Sequence, residues 1–128
     1  MDSTPLDYNT FCAKWLGAWT GNNPGGLLQY YTENAFYSDP GNPMGIKGHE
    51  QLNTYFTKLL FRNPQWVWSA EEIFPTAKGF TLKWKAVVPV KNTHLTLYGL
   101  DIVELEGDHI SRNEVYFDRS PWLETIMK

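Results

Sequence analysis

Two aspartates, Asp39 and Asp101, are the side chains of this sequence best suited to moving a proton. Asp101 lies in the run Gly99-Leu100-Asp101-Ile102-Val103-Glu104-Leu105. Alternation along a strand puts it on one face with Leu97, Val103 and Leu105, while Ile102 and Glu104 point the other way. An ionised carboxylate among apolar neighbours costs several kcal/mol, so Asp101 is expected to be paired, hydrogen-bonded or protonated. In the protonated state it donates a hydrogen bond to a carbonyl oxygen as that oxygen gains charge. The competing role is structural, holding a nearby backbone or indole N–H. Asp39 closes the run Ala35-Phe36-Tyr37-Ser38-Asp39 and precedes Pro40, on the face of Ala35 and Tyr37. It suits a general base at the mouth of a cavity, and equally the capping chemistry common before proline. One carboxyl at a rim and one deep inside is how acid and base roles divide.

Asn113 is a polar residue on the inward face of the last strand, with Val115 and Phe117. It either orients a substrate oxygen or satisfies Asp101. Six Trp, seven Tyr and seven Phe give an aromatic share of 16%. That is more than a small core requires and points to an aromatic-lined pocket for an apolar ligand. The expected lining is Trp15, Trp19, Tyr37, Phe56, Trp84, Val103 and Phe117, with Asn113 as its polar member. The Trp15 indole N–H donates without titrating, and Trp15 serves either as a donor or as core.

Other chemistries find little support. One cysteine, Cys12, and three histidines offer no zinc spacing, and we expect neither metal nor cofactor. Cys12 falls on a buried stripe and reads as a small hydrophobe, while His49, His94 and His109 fall at a surface helix start and in turns. Gly25-Gly26 lacks the lysine and preceding strand of a phosphate loop. A net charge of -3 with scattered Lys and Arg argues against nucleic acid. No apolar run reaches the ~20 residues of a membrane span. The start Met-Asp-Ser-Thr-Pro is not a signal peptide, and the expected location is the cytoplasm.

The elements that must position these residues follow from periodicity. Thr4-Pro5 is expected to open a first helix, whose buried stripe is Tyr8, Phe11, Cys12, Trp15 and Trp19. Pro24 starts a short second helix ending at Tyr30 or Tyr31. Residues 35–39 form a short strand, broken by Pro40-Gly41-Asn42-Pro43 and a loop to Lys47-Gly48. His49 to Arg62 is the third helix, stopped by Asn63-Pro64. The period then changes to two: strands run from Gln65 to Pro75, Phe80 to Val90, Leu95 to Glu106 and Ile110 to Asp118. Ser120 to Lys128 is a short docked tail. Helices before strands make an α+β domain over residues 1–128, with a curved, mostly antiparallel sheet covered on its apolar face.

This order, together with Ala-Phe-Tyr-Ser-Asp-Pro, Ile-Lys-Gly-His-Glu-Gln-Leu and Gly-Leu-Asp-Ile-Val-Glu-Leu-Glu-Gly-Asp-His-Ile, resembles the nuclear transport factor 2-like superfamily. Within it the motifs resemble the SnoaL-like proteins, which include polyketide cyclases, and the Δ5-3-ketosteroid isomerases. The resemblance implies a cone: a strongly curved sheet wrapped by three N-terminal helices around an inner cavity. Against the isomerases, Asp39 stands at the general base and Asp101 at the protonated oxyanion-hole acid. The oxyanion-hole tyrosine falls on Trp15 and a supporting tyrosine on Phe56, so two carboxyls match and two phenols do not. The epoxide hydrolases of this fold need an Asp-Arg-Asp set, and Gly99 stands where the arginine would be.

The expected function is binding of a small, largely apolar, carbonyl-bearing molecule, with proton transfer of the isomerase, cyclase or dehydratase type. The alternative is a non-catalytic ligand-binding or dimerisation module. The outer sheet face carries Lys83, Lys85, Tyr98, Ile102, Glu104, Arg112, Glu114 and Tyr116, and members of this fold commonly pair there, so a homodimer is expected.

Overall fold

The computed structural model describes residues 6–127. The expected opening at Thr4-Pro5 lies outside them. Helix α1, Tyr8–Ala18, has Asp7 as its cap: the carboxylate accepts from Asn9 N at 3.0 Å and Thr10 Oγ1 at 2.9 Å. Helix α2 is a single turn, Pro24–Leu28, capped by the Asn23 side chain on Gly26 N at 3.1 Å. Tyr31 belongs to the next strand, not to this helix.

Strand β1 covers Tyr31–Asp39, longer than residues 35–39, and the expected loop after it is a strand, β2, Asn42–Lys47. The two form a hairpin around Pro40-Gly41. β2 lies at the sheet edge, where Pro43 need not donate to a ladder. Helix α3 runs His49–Arg62, as its apolar period predicts. Gly48 at φ 92° releases the chain from β2 into α3, and Pro64 keeps Asn63 out of helical backbone.

Strands β3, Val67–Pro75, β4, Gly79–Val90, β5, Thr93–Glu106, and β6, His109–Phe117, follow as hairpins. The sheet order is β2-β1-β6-β5-β4-β3. All pairs are antiparallel except β1 with β6. The sheet is open, with β2 and β3 at its edges. The tail folds as a short helix, α4, Ser120–Ile126, making four helices among the described residues.

Alternation along β4 buries Phe80, Leu82, Trp84, Ala86 and Val88 almost completely. α1 packs on β3 and α3 on β1 over this face, with Trp15, Phe56 and Leu60 filling the contact. Burying each such side chain contributes ~1.5–3 kcal/mol. The core thus clamps the middle of β5 and β6 from one side and fixes which of their residues face inward.

Candidate functional site

Asp101 sits mid-strand in β5, opposite Leu82 of β4 and Val115 of β6, and is only 4% exposed. Trp84 Nε1 donates to its Oδ1 at 2.7 Å, and Asn113 Nδ2 donates to its Oδ2 at 3.0 Å. Behind Asn113 the chain of hydrogen bonds continues. The Tyr31 hydroxyl donates to Asn113 Oδ1 at 2.8 Å and accepts from Trp15 Nε1 at 3.3 Å. Burial raises the Asp101 pKa to about 7; the Asn113 and Trp84 hydrogen bonds oppose the shift, and the Asp39 charge adds to it. Each carboxyl oxygen keeps a further position beyond its one donor, so a proton there is available to a ligand. Gly99, paired with Trp84 across the strands, makes this possible: any β-carbon at position 99 would run into the indole.

Asp39 ends β1 at a register shift, beside the hairpin with β2. The Tyr37 hydroxyl donates to its Oδ2 at 2.8 Å, and the Tyr55 hydroxyl reaches both oxygens at 2.8 Å. Asn42 N–H donates to Oδ1 at 2.9 Å. Burial, and then the neighbouring Asp39 charge, hold the Tyr37 phenol well above its ordinary pKa. Tyr55 is raised by burial and by its hydrogen bond to Asp39, with Arg119 and Arg62 pulling the other way. Both phenols therefore remain donors at neutral pH.

The two aspartates line one pocket of about 530 Å³. Trp19, Tyr37, Trp84 and Phe117 share that lining, so six residues singled out from sequence come together there. The expectation for the other four is corrected: Trp15, Phe56, Val103 and Asn113 are fully buried and stand outside the lining. Trp15 and Asn113 instead form the hydrogen-bonded backing of Asp101. Phe56 supports Trp19 and Tyr37 through edge contacts at 5.3 and 5.2 Å. Val103 pairs with Phe80 and Asn113 as core between strands.

Sequence reasoning missed several members. Tyr55 of α3 lines the pocket and holds Asp39, and Tyr31, expected at the end of a helix, backs Asn113 from β1. Trp66, Trp68, Trp122, Arg62 and Arg119 also line the pocket, at its β3 and α4 side. His49 is not simply solvated, since its Nε2 lies 2.8 Å from the Tyr31 carbonyl oxygen. Among the described residues no three His, Cys, Asp or Glu side chains gather as a metal site. No helix among them is long and apolar enough to cross a membrane.

Comparison with known proteins places the chain in a family. The model of the SnoaL-like domain matches residues 12–113. No curated protein matches the chain. A protein with a ketosteroid isomerase-like fold from Catenulispora acidiphila, solved with trimethylamine, is 18% identical. That match covers 91% of this chain and 92% of the other, with a TM-score of 0.79. A protein assigned to the SnoaL-like polyketide cyclases from Jannaschia sp. CCS1 is 11% identical, covering 98% and 96%, with a TM-score of 0.77. TerC, solved with polyporic acid, is 13% identical, covering 93% and 97%, also at 0.77. At such identities these are likenesses of fold. The chain belongs to the SnoaL-like domain family and has the nuclear transport factor 2-like fold.

Proposed function

We propose that this SnoaL-like chain, one domain over residues 1–128, binds a small, largely apolar, carbonyl-bearing molecule and catalyses proton transfer on it. The reaction is an isomerisation, cyclisation or dehydration that needs no cofactor. The observation that carries this reading is the placement of Asp101. A carboxyl titrating near neutrality shares an aromatic pocket with a second carboxyl, Asp39. The curved sheet and helices α1 to α3 form the cone around that pocket, and its volume suits a molecule of drug size.

In this mechanism Asp39 takes the proton alpha to the substrate carbonyl. The electron pair of that C–H bond moves to the carbonyl oxygen, and protonated Asp101 donates a hydrogen bond to the enolate as it forms. Return of the proton from Asp39 to another carbon gives an isomer; attack of the enolate carbon on a second carbonyl gives a ring. Tyr37, Tyr55 and Asn42 N–H fix the Asp39 carboxyl in place. Trp84 and Asn113 fix Asp101. Trp19 and Phe117 supply apolar wall.

A second reading, a non-catalytic ligand-binding module, is favoured by one observation: three donors already converge on Asp39. Exchange of the α-hydrogens of 2-tetralone in D₂O, followed by NMR, separates the two. The catalytic reading expects acceleration over buffer, reduced ~10²–10⁴-fold in Asp39→Asn. Binding of the probe, seen as tryptophan quenching, without acceleration would overturn catalysis and leave the binding module.

For the outer sheet face we propose pairing with a second copy. Tyr98, Leu100 and Tyr116 are exposed there at 58%, 44% and 54%. Around them lie both signs of charge, including Arg112 paired with Glu104 and Glu114. A self-complementary patch of this kind suits a two-fold interface. A cytoplasmic location and the absence of nucleic-acid or membrane partners complete the reading.

A further inference from the structure

The β3 and α4 side of the pocket has a chemistry that the proton-transfer mechanism does not use. Arg62 ends α3 and Arg119 immediately precedes α4, and both line the pocket. Neither guanidinium has a carboxylate within 4.0 Å among the described residues, whereas Arg112, on the opposite face of the sheet, pairs with two. Arg119 is half-buried, so its charge is partly removed from water. It stands near Asp39 without a direct ion pair. A side chain at position 41 would meet Asp39 Oδ1 at 3.4 Å and the Arg119 guanidinium at 3.6 Å.

The same pocket wall carries indoles. Trp66 meets Trp122 edge-to-face at 5.6 Å and Trp68 at 5.6 Å. Flat aromatic faces beside guanidinium groups suit a planar ligand with a negative edge. Both arginines act on the Tyr55 phenol and Arg119 adjoins Asp39, so this cationic wall stands beside Asp39; with no carboxylate within 4.0 Å of either guanidinium among the described residues, it favours an anion.

We propose, resting on the reading of this pocket as a ligand site, that its ligand is a flat, largely aromatic carboxylate. The carboxylate sits between Arg119 and Arg62, the ring lies against Trp66 and Trp122, and the reactive carbonyl end points to Asp39 and Asp101. Arg119 and Arg62 are then specificity-determining residues. A carboxylate is the anion that an arginine fork matches in plane and in two parallel hydrogen bonds.

Titration of the protein with 2-naphthoate and with 2-naphthamide, followed by tryptophan quenching and calorimetry, tests this. The probes share a ring system and differ in charge. The naphthoate is expected to bind about tenfold more tightly at low salt. In the Arg62→Gln, Arg119→Gln double variant the affinity ratio of the two probes should fall to near one, and Arg119→Lys should keep part of it. Equal affinities for wild type, or a ratio untouched in the double variant, would overturn the inference. Binding of the amide without preference for the anion would sink this inference alone. Failure of both probes to bind would sink it together with the aromatic-pocket reading.

Discussion

Asp101 concentrates the physical conflict of this molecule into one side chain. Burial disfavours its charge, while Trp84 and Asn113 donate to it, and burial prevails. The consequence for stability has a definite sign. In the unfolded chain the carboxyl titrates at 3.8, and in the folded protein at about 7. Below the lower value both states hold the proton; between the two only the folded state does. The stabilisation from this proton is therefore complete at low pH and is lost as pH rises through about 7. Asp101→Asn keeps the shape and cannot ionise. Urea unfolding at pH 5 and pH 8 should show wild type losing roughly 3 kcal/mol relative to this variant. Parallel pH dependence of the two proteins would contradict the assignment. At this scale the sequence was informative where a strand alternates, since period two alone turns Asp101 and Asn113 inward. It was silent on which groups those residues meet. The Tyr31 hydroxyl reaches Asn113 across 82 positions of chain, and no local pattern encodes that contact.

Elements were legible in proportion to the regularity of their pattern. α3 has a clean helical stripe between Gly48 and Pro64, and its bounds follow. β4 alternates without interruption, and so does its burial. β2 was missed because Pro43 and Gly45 read as breakers. An edge strand tolerates both, and Gly45, at φ 81°, lets the chain pass the ring of Phe36. β1 was cut short because Thr32, Glu33 and Asn34 are polar. Its inner half is held instead by parallel pairing with β6, where Tyr31 pairs Ile110 and Tyr37 pairs Asn113. That one parallel pairing joins the two ends of the chain and brings Asp39 toward Asp101. The arginine-bearing wall has no signal in any one stretch of sequence, because its residues come from the end of α3, the start of β3 and the start of α4, which meet only in three dimensions.

At the scale of the whole molecule, the helices cover one face of the sheet, and the outer face carries exposed Tyr98, Leu100 and Tyr116. Large apolar groups gathered on a sheet surface favour association. Multi-angle light scattering at micromolar concentration should return twice the chain mass of 14.8 kDa. Leu100→Asp, which puts a charge at the centre of the face, should return a single chain mass with the fold intact by circular dichroism. A wild-type mass of 14.8 kDa would defeat the dimer.

The most direct measurement is the rate of α-hydrogen exchange of 2-tetralone against pH, with the buffer rate subtracted at each pH. Asp101 is assigned as the proton-bearing donor to the enolate. The protein-dependent rate should therefore fall as pH rises through about 7, where that proton is lost. In Asp101→Asn, whose amide donates at every pH, the fall should disappear. A protein-dependent rate that rises through the same pH in wild type would make Asp101 the base, and would contradict the roles assigned to the two aspartates.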